Sequence, residues 1–331
     1  MLKLLKSNNP VNYLLIFIIM SALWAYKFIE MPTAVDTGGM HSYFFRFLYE
    51  GTLYQYIYTA FAFVLAFAFA CYASKENFRY QIVESGYQLP SLFFALLTGG
   101  IINAQRCIPE MVGALFLALA VLRIFGMYNK HEDLPRSLDV GLMFGLSLIF
   151  AYKYIVLLPA IIVVIAIVKP LSWRDLFSMF VALVFVVGVA FCLVWLYGDW
   201  EGLLSSIKLE AQKLVIGEKY NYLNYLFELP VIFAALVSLL SVFVLKVFRK
   251  TAEMKYYHSM LFLMAYAGLF LLSPFSSNES IWLMYFPLSY LVANIIVNAR
   301  RMFVQRIVFY GLVISIVVSQ ILQVMYFDKI F

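Results

Sequence analysis

Asp36 stands in the segment EMPTAVDTGGMHSYFFRFLYEGTL (residues 30–53), followed by Thr37, Gly38 and Gly39, with His41 close behind. Paired glycines admit positive φ and make a flexible turn. A carboxylate in such a turn can come within hydrogen-bond reach of a substrate hydroxyl and take its proton as a general base. The same composition also describes an ordinary turn aspartate. Further along, QRCIPE places Arg106 and Glu110 four residues apart. That spacing makes a structural ion pair. Alternatively, the planar fork of Arg106 grips an anionic group such as a lipid phosphate while Glu110 orients it. Lys153, between Tyr152 and Tyr154, supplies a second cation for the same anion, or extends to the headgroup layer as lysines near helix ends do. The candidate set is therefore Asp36 as catalytic residue, with His41, Arg46, Arg106, Glu110 and Lys153 binding substrate.

Other polar groups are less specific. Glu228 precedes Pro230 near the end of an apolar run, and ionisable groups near hydrocarbon tend to serve function. SPFSSNES (residues 273–280) reads as a polar turn. Cys71, Cys107 and Cys192 show no paired spacing, and Cys71 and Cys192 lie inside apolar runs, which reads as packing. His41, His131 and His258 are far apart, so no metal-ligand cluster is expected. There is no GxxxxGK[ST] phosphate loop, no HExxH and no arginine-rich voltage sensor. No cofactor is expected.

The elements that must position these groups are apolar helices. Hydrophobic residues make up 64% of the 331-residue chain and charged residues 13%, against about a quarter charged in soluble domains. The expected fold class is all-α, a polytopic transmembrane helical bundle of about 11 spans. They read as 11–29, 54–74, 88–104, 108–127, 138–152, 154–168, 178–198, 224–248, 259–275, 282–298 and 307–327. The stretch 138–168 is too long for one untilted span, so it divides into two short helices with Lys153 at the tip. Residues 1–331 form a single integral membrane domain on this reading.

With the N-terminus cytoplasmic, twice as many basic residues fall on the inner side as on the outer, following the positive-inside rule. Reading 138–168 as one span would reverse everything after it and break that rule. The C-terminus is then extracytoplasmic. The net charge of +6 reads as a topological signal, and no nucleic-acid partner is expected. Trp195, Tyr197 and Trp200 mark an outer helix end and Trp173 an inner one. The two longest connectors, 30–53 and 199–223, are both outer. Each carries an amphipathic stretch suited to a short interfacial helix, around Tyr43–Leu48 and Leu203–Leu214. Gly99, Gly100, Gly113, Gly141 and Gly145 are expected to permit close helix packing.

The runs PEMVGALFLALAVLRIF (109–125) and LDVGLMFGLSLIFAYKYIVLLPAIIVVIAIVKPLSWRDLF (138–177) resemble membrane glycosyltransferases of the GT-C type and polysaccharide polymerases. The carriers are paired short helices, a GL…GLS helix, an aromatic-basic tip and a basic KPLSWRD turn. The whole chain, from its SNNPVNYLL start, is also similar to a family of uncharacterised bacterial multipass inner-membrane proteins. The first resemblance implies a GT-C-like bundle in the inner membrane of the cell envelope and a polyprenyl-phosphate-linked sugar as substrate. It also implies an acidic catalytic residue in the first outer loop, which here is Asp36, with Glu30 and Glu50 as competitors, and Arg106 and Lys153 near the phosphate. The first loop is short, holds no DD or ED pair, and no soluble outer domain follows. Two other classes stay open: a transporter or flippase for lipid-linked molecules, and a non-catalytic subunit assembling with envelope proteins. Membrane lipid is a partner in every case.

Overall fold

A computed structural model describes residues 11–29, 52–83, 88–105, 109–130, 132–196, 201, 205, 228–244, 251–273, 276, 278–299 and 302–330. Among them there is no strand, and eleven α-helices coincide one for one with the apolar runs. They are α1 Val11–Ile29, α2 Thr52–Tyr80, α3 Leu89–Gly99, α4 Pro109–Phe125, α5 Leu134–Phe150 and α6 Leu158–Val168. After these come α7 Trp173–Leu196, α8 Leu229–Val244, α9 Thr251–Leu272, α10 Trp282–Asn298 and α11 Met302–Ile330.

Proline sets where many of these helices begin. Pro90, Pro109, Pro135, Pro159 and Pro230 each occupy the first or second position of a helix. There the missing N–H has no intrahelical partner to lose, and the fixed φ already suits the helix. Pro287 is the exception, lying inside α10. Its ring removes the donor that the Leu283 carbonyl would otherwise receive. A small cavity of about 20 Å³ opens beside Leu283, Phe286 and Pro287, walled by Ala114 and Leu117 of α4 and Ala160 of α6.

The helices sort into a buried centre and an apolar periphery. Every residue of α3 is buried, and α10 is buried continuously from Trp282 to Ile296. Around them, among the described residues, stand four helices long and apolar enough to cross a membrane: Val11–Ile29, Tyr56–Tyr80, Trp173–Leu196 and Met302–Met325. Between 22% and 39% of the apolar 18-residue stretch of each is buried within the protein. Their outward faces are hydrophobic: Phe177, Phe180 and Phe185 of α7 and Phe303, Tyr310 and Ile314 of α11 are all exposed. Meanwhile Glu76, Asn77, Gln105, Glu110, Lys169 and Asp175 are buried. Apolar residues outside and polar ones inside mark a protein whose solvent is lipid. The two exposed tryptophans of α7, Trp173 and Trp195, are separated by about 33 Å at 1.5 Å per residue. That matches a hydrocarbon core of about 30 Å bounded by aromatic belts.

Glycines set the closest helix contacts. A Cβ on Gly141 of α5 would come within 2.1 Å of the Met179 carbonyl oxygen of α7, and one on Gly145 within 3.0 Å of Val186 Cβ. One on Gly113 of α4 would meet Ala151, Ser147 and Tyr154 at 3.1 Å. The Ser147 hydroxyl reinforces that contact by donating to the Gly113 carbonyl at 2.7 Å.

The stretch after α5 divides as expected. Ala151 leaves helical geometry at φ −142°, ψ 83°. A 3₁₀ turn, Tyr152–Leu157, then leads into α6. The chain reverses there, because the end of α6 returns to the start of α5. Lys169 forms an ion pair with Asp175, and Asp175 Oδ1 accepts the Asp133 N–H at 3.1 Å and the Ser137 hydroxyl at 3.0 Å. The KPLSWRD turn is thus closed within itself by a charge pair with almost no exposure, and Asp175 clasps it onto the α4–α5 turn through the two hydrogen bonds it accepts. Asn129, at φ 62°, reverses the α4–α5 turn in a left-handed conformation that asparagine tolerates.

The bundle therefore has two ends. The turn end carries the α4–α5 and α6–α7 turns. Lys130 and Arg136 pair with Asp133, Arg174 pairs with Glu132, and Lys255 donates to the Val168 carbonyl. From the opposite, connector end, residues 30–51 join α1 to α2, and residues 197–227 join α7 to Glu228, which precedes α8. One expectation is corrected here. Cys192 does not pack within the protein but is exposed on α7, facing outward with its apolar neighbours, whereas Cys71 is half-buried.

Candidate functional site

Glu110 and Lys153 meet at the connector end. The Lys153 ammonium donates to Glu110 Oε1 at 3.0 Å, and the side chains are only 11% and 7% exposed, respectively. Pro109 starts α4 and puts Glu110 in its first turn, where the unpaired N–H groups and the helix dipole favour a carboxylate. The break at Ala151 aims the 3₁₀ turn back over this helix start. The Tyr154 hydroxyl donates to the Glu110 main-chain carbonyl at 3.0 Å, which is possible because Gly113 leaves room for the ring. Glu110 Oε2 is buried and has no hydrogen-bond partner.

Lys153 does not reach for the headgroup layer; it turns inward onto Glu110, and the pair is neutral as a unit. What the site offers is one unfilled acceptor oxygen in a nearly dry setting. Asp36, His41, Arg46 and Arg106 lie outside the described residues, as do the first amphipathic stretch of the long connectors and all of the second except Ser205. The Arg106–Glu110 pairing expected from the sequence therefore also lies outside the described residues. Of the six candidates, the structure brings together Glu110 and Lys153, which lie far apart in the sequence.

A second polar group at the same end was not singled out from the sequence. Gln105 is wholly buried after α3, and its Nε2 donates to the Gly99 carbonyl at 3.0 Å and the Leu23 carbonyl at 3.4 Å. Gln320 of α11 donates to the same two carbonyls. Gln323 accepts the Ile102 N–H at 2.7 Å. These side chains occupy the backbone groups left open where α3 ends early. Glutamine in an apolar run was the available signal: Gln320 and Gln323 are polar residues three apart in the last span.

Among the described residues, no group of three or more His, Cys, Asp and Glu side chains is placed to hold a metal ion. Compared with protein-family models, curated proteins and solved structures, the chain matches none.

Proposed function

We propose that the chain is an integral-membrane glycosyltransferase or glycan polymerase of GT-C type, using a polyprenyl-phosphate-linked sugar at the extracytoplasmic face of the inner membrane. The observation that carries this reading is the Glu110–Lys153 pair. It is a desolvated carboxylate with one oxygen unfilled, at the end of the bundle where the connector bearing Asp36 is attached. Arg106 stands only four residues before Glu110 in the sequence. In this reading Arg106 faces the carrier phosphate, Glu110 orients it, Lys153 fixes Glu110, and Asp36 takes the proton of the acceptor hydroxyl. In the same reading His41 and Arg46 also bind the substrate.

The charge distribution supports the orientation. Lys130, Arg136, Lys169, Arg174 and Lys255 all lie at the turn end, which the positive-inside rule assigns to the cytoplasm. The connector end is then extracytoplasmic, with the N-terminus inside and the C-terminus outside across eleven spans.

A second reading is favoured by one feature of the same pair. Glu110 and Lys153 neutralise each other within the protein, which suits a structural clasp in a non-catalytic envelope subunit. The test is glycan product in cells carrying Asp36→Asn at unchanged protein level. The enzyme reading expects product to vanish; normal product removes Asp36 from the mechanism. Tolerance of alanine at Asp36, Arg106 and Lys153 together, with stable co-purification of an envelope partner, would establish the subunit instead.

A further inference from the structure

Three arginines from three helices meet at the turn end. Arg79 lies in the last turn of α2, Arg123 in the last turn of α4 and Arg136 in the first turn of α5. The Arg79 guanidinium sits 5.5 Å from the centre of the Tyr80 ring. Tyr80 reaches over the end of α4, where a Cβ on Gly126 would lie 2.6 Å from its hydroxyl and 3.0 Å from Arg136 Nη1. The glycine thus lets Tyr80 and Arg136 share one space. Roughly 5 Å deeper, one helical turn along α4, Arg123 faces Asp139 of α5.

These arginines are anchored with their donors left over. Arg79 lies 4.0 Å from Glu76, Arg123 3.9 Å from Asp139 and Arg136 3.5 Å from Asp133. A charge-assisted hydrogen bond to a carboxylate is shorter, about 2.7–2.9 Å, and Lys130 already supplies one to Asp133 at 2.9 Å. The arginine side chains are 54%, 32% and 24% exposed in chain order, so their N–H forks are accessible. Glu76 and Asp133 are buried and hold the cations from the protein side. Exposed Lys75 stands one turn before Arg79 on α2. Counting it and Lys130, cations outnumber carboxylates in the group. The positive-inside rule accounts for basic residues at this end, but not for their convergence with open donors.

Open guanidinium forks match the paired oxygens of a phosphate, and the depth says which phosphate. The apolar span of α2 ends at Tyr80, which sets the arginines at the headgroup layer. On α4, Phe116 and Leu119 precede Arg123 on one face, and both are only partly buried. An acyl chain can lie along them while its headgroup meets the arginines. A zwitterionic headgroup would bring a cation of its own to a patch of excess positive charge. We infer that this α2–α4–α5 junction binds the headgroup phosphate of an anionic phospholipid, gripped by Arg123 and Arg136 with Arg79 and the Tyr80 hydroxyl alongside. Basic pockets between transmembrane helices take such headgroups. Asp139, 45% exposed, gives way to the phosphate at Arg123. The site lies at the opposite end from Glu110 and Lys153 and does not depend on the glycosyltransferase reading.

The test uses the full-length protein, purified in a neutral detergent and stripped of lipid. Phosphatidylglycerol or phosphatidylcholine is titrated while bound lipid is counted by native mass spectrometry. Glycerophosphoglycerol, the deacylated headgroup, forms a parallel arm that separates a lipid from a free phosphate ester. Saturable binding of phosphatidylglycerol is expected, with phosphatidylcholine and the deacylated headgroup at least tenfold weaker. Arg123→Gln and Arg136→Gln should each weaken it about tenfold, the loss of a charge-assisted hydrogen bond. Arg174→Gln removes an equal charge from the same end and should change nothing. Asp139 is solvated and Asp133 keeps Lys130, so neither test variant strands a buried charge, and both should unfold near the wild-type temperature without lipid. Equal binding of the two lipids, a deacylated headgroup that binds as tightly as the lipid, unchanged affinity in a folded Arg123→Gln or Arg136→Gln protein, or an equal loss in Arg174→Gln would each overturn the site.

Discussion

At the residue scale, the account turns on a buried charge pair whose two members are not equivalent to free charges. Removing one partner of such a pair leaves the other uncompensated, at a cost of about 3–5 kcal/mol. Lys153→Met is therefore expected to lower the unfolding temperature in detergent markedly. Lys153→Met combined with Glu110→Leu should recover much of the loss, because two apolar residues no longer strand a charge. An undiminished unfolding temperature in Lys153→Met would show that the pair contributes little. The sequence marked both residues as candidates through their types and places. It did not reveal that they belong together, because Glu110 had a nearer cation in Arg106 and Lys153 had the surroundings of a headgroup lysine. The partnership depends on the break at Ala151 and the room beside Gly113, which are tertiary facts. The glutamines that meet the end of α3 were missed for a related reason: Gln320 and Gln323 stand out in an apolar run, but that they reach the carbonyls of Gly99 and Gly100 is again a tertiary fact.

Elements were far easier to read. The eleven apolar runs each correspond to a helix, because a chain in hydrocarbon must close its backbone hydrogen bonds within each segment. Splitting 138–168 at Lys153 agreed with the structure because both length and charge pattern demanded it. Boundaries were read less well: α5 begins at Leu134 rather than 138, and α7 at Trp173 rather than 178. Pro135 sets the first start, and the Lys169–Asp175 clasp draws charged residues into the first turn of the second. Two tests belong to this scale. Gly141→Leu would force atoms into the Met179 backbone, so it should destabilise the α5–α7 contact by about 1–3 kcal/mol or more, read as reduced folded yield and earlier unfolding; wild-type behaviour would contradict the packing. Lys169→Met should destabilise by about 3–5 kcal/mol, with Lys169→Met plus Asp175→Leu partly restoring it. If the double variant is no better than the single one, the clasp does not act as a unit.

For the whole molecule, the arrangement puts short, fully buried helices at the centre and long apolar ones at the rim. That distribution explains why, among the described residues, only four helices are long and apolar enough to cross a membrane by themselves. The central ones are wrapped by protein, and their length is free to vary where their ends are met by side chains such as Gln320 and Gln323. The orientation can be checked on a chain whose cysteines are replaced. Cysteines introduced at Glu201 should react with an impermeant maleimide from outside intact cells, and those introduced at Lys130 or Leu171 only after permeabilisation. The opposite pattern would invert the bundle and put the Glu110–Lys153 site in the cytoplasm. The proposed chemistry is tested most directly by reconstituting the purified protein in vesicles with polyprenyl-phosphate sugars labelled in the sugar, extracted from the cells that make it. The account predicts that label leaves the lipid carrier for a glycan product, and that Asp36→Asn stops this. Label that crosses the bilayer still attached to its carrier, or that never leaves it, would contradict the account.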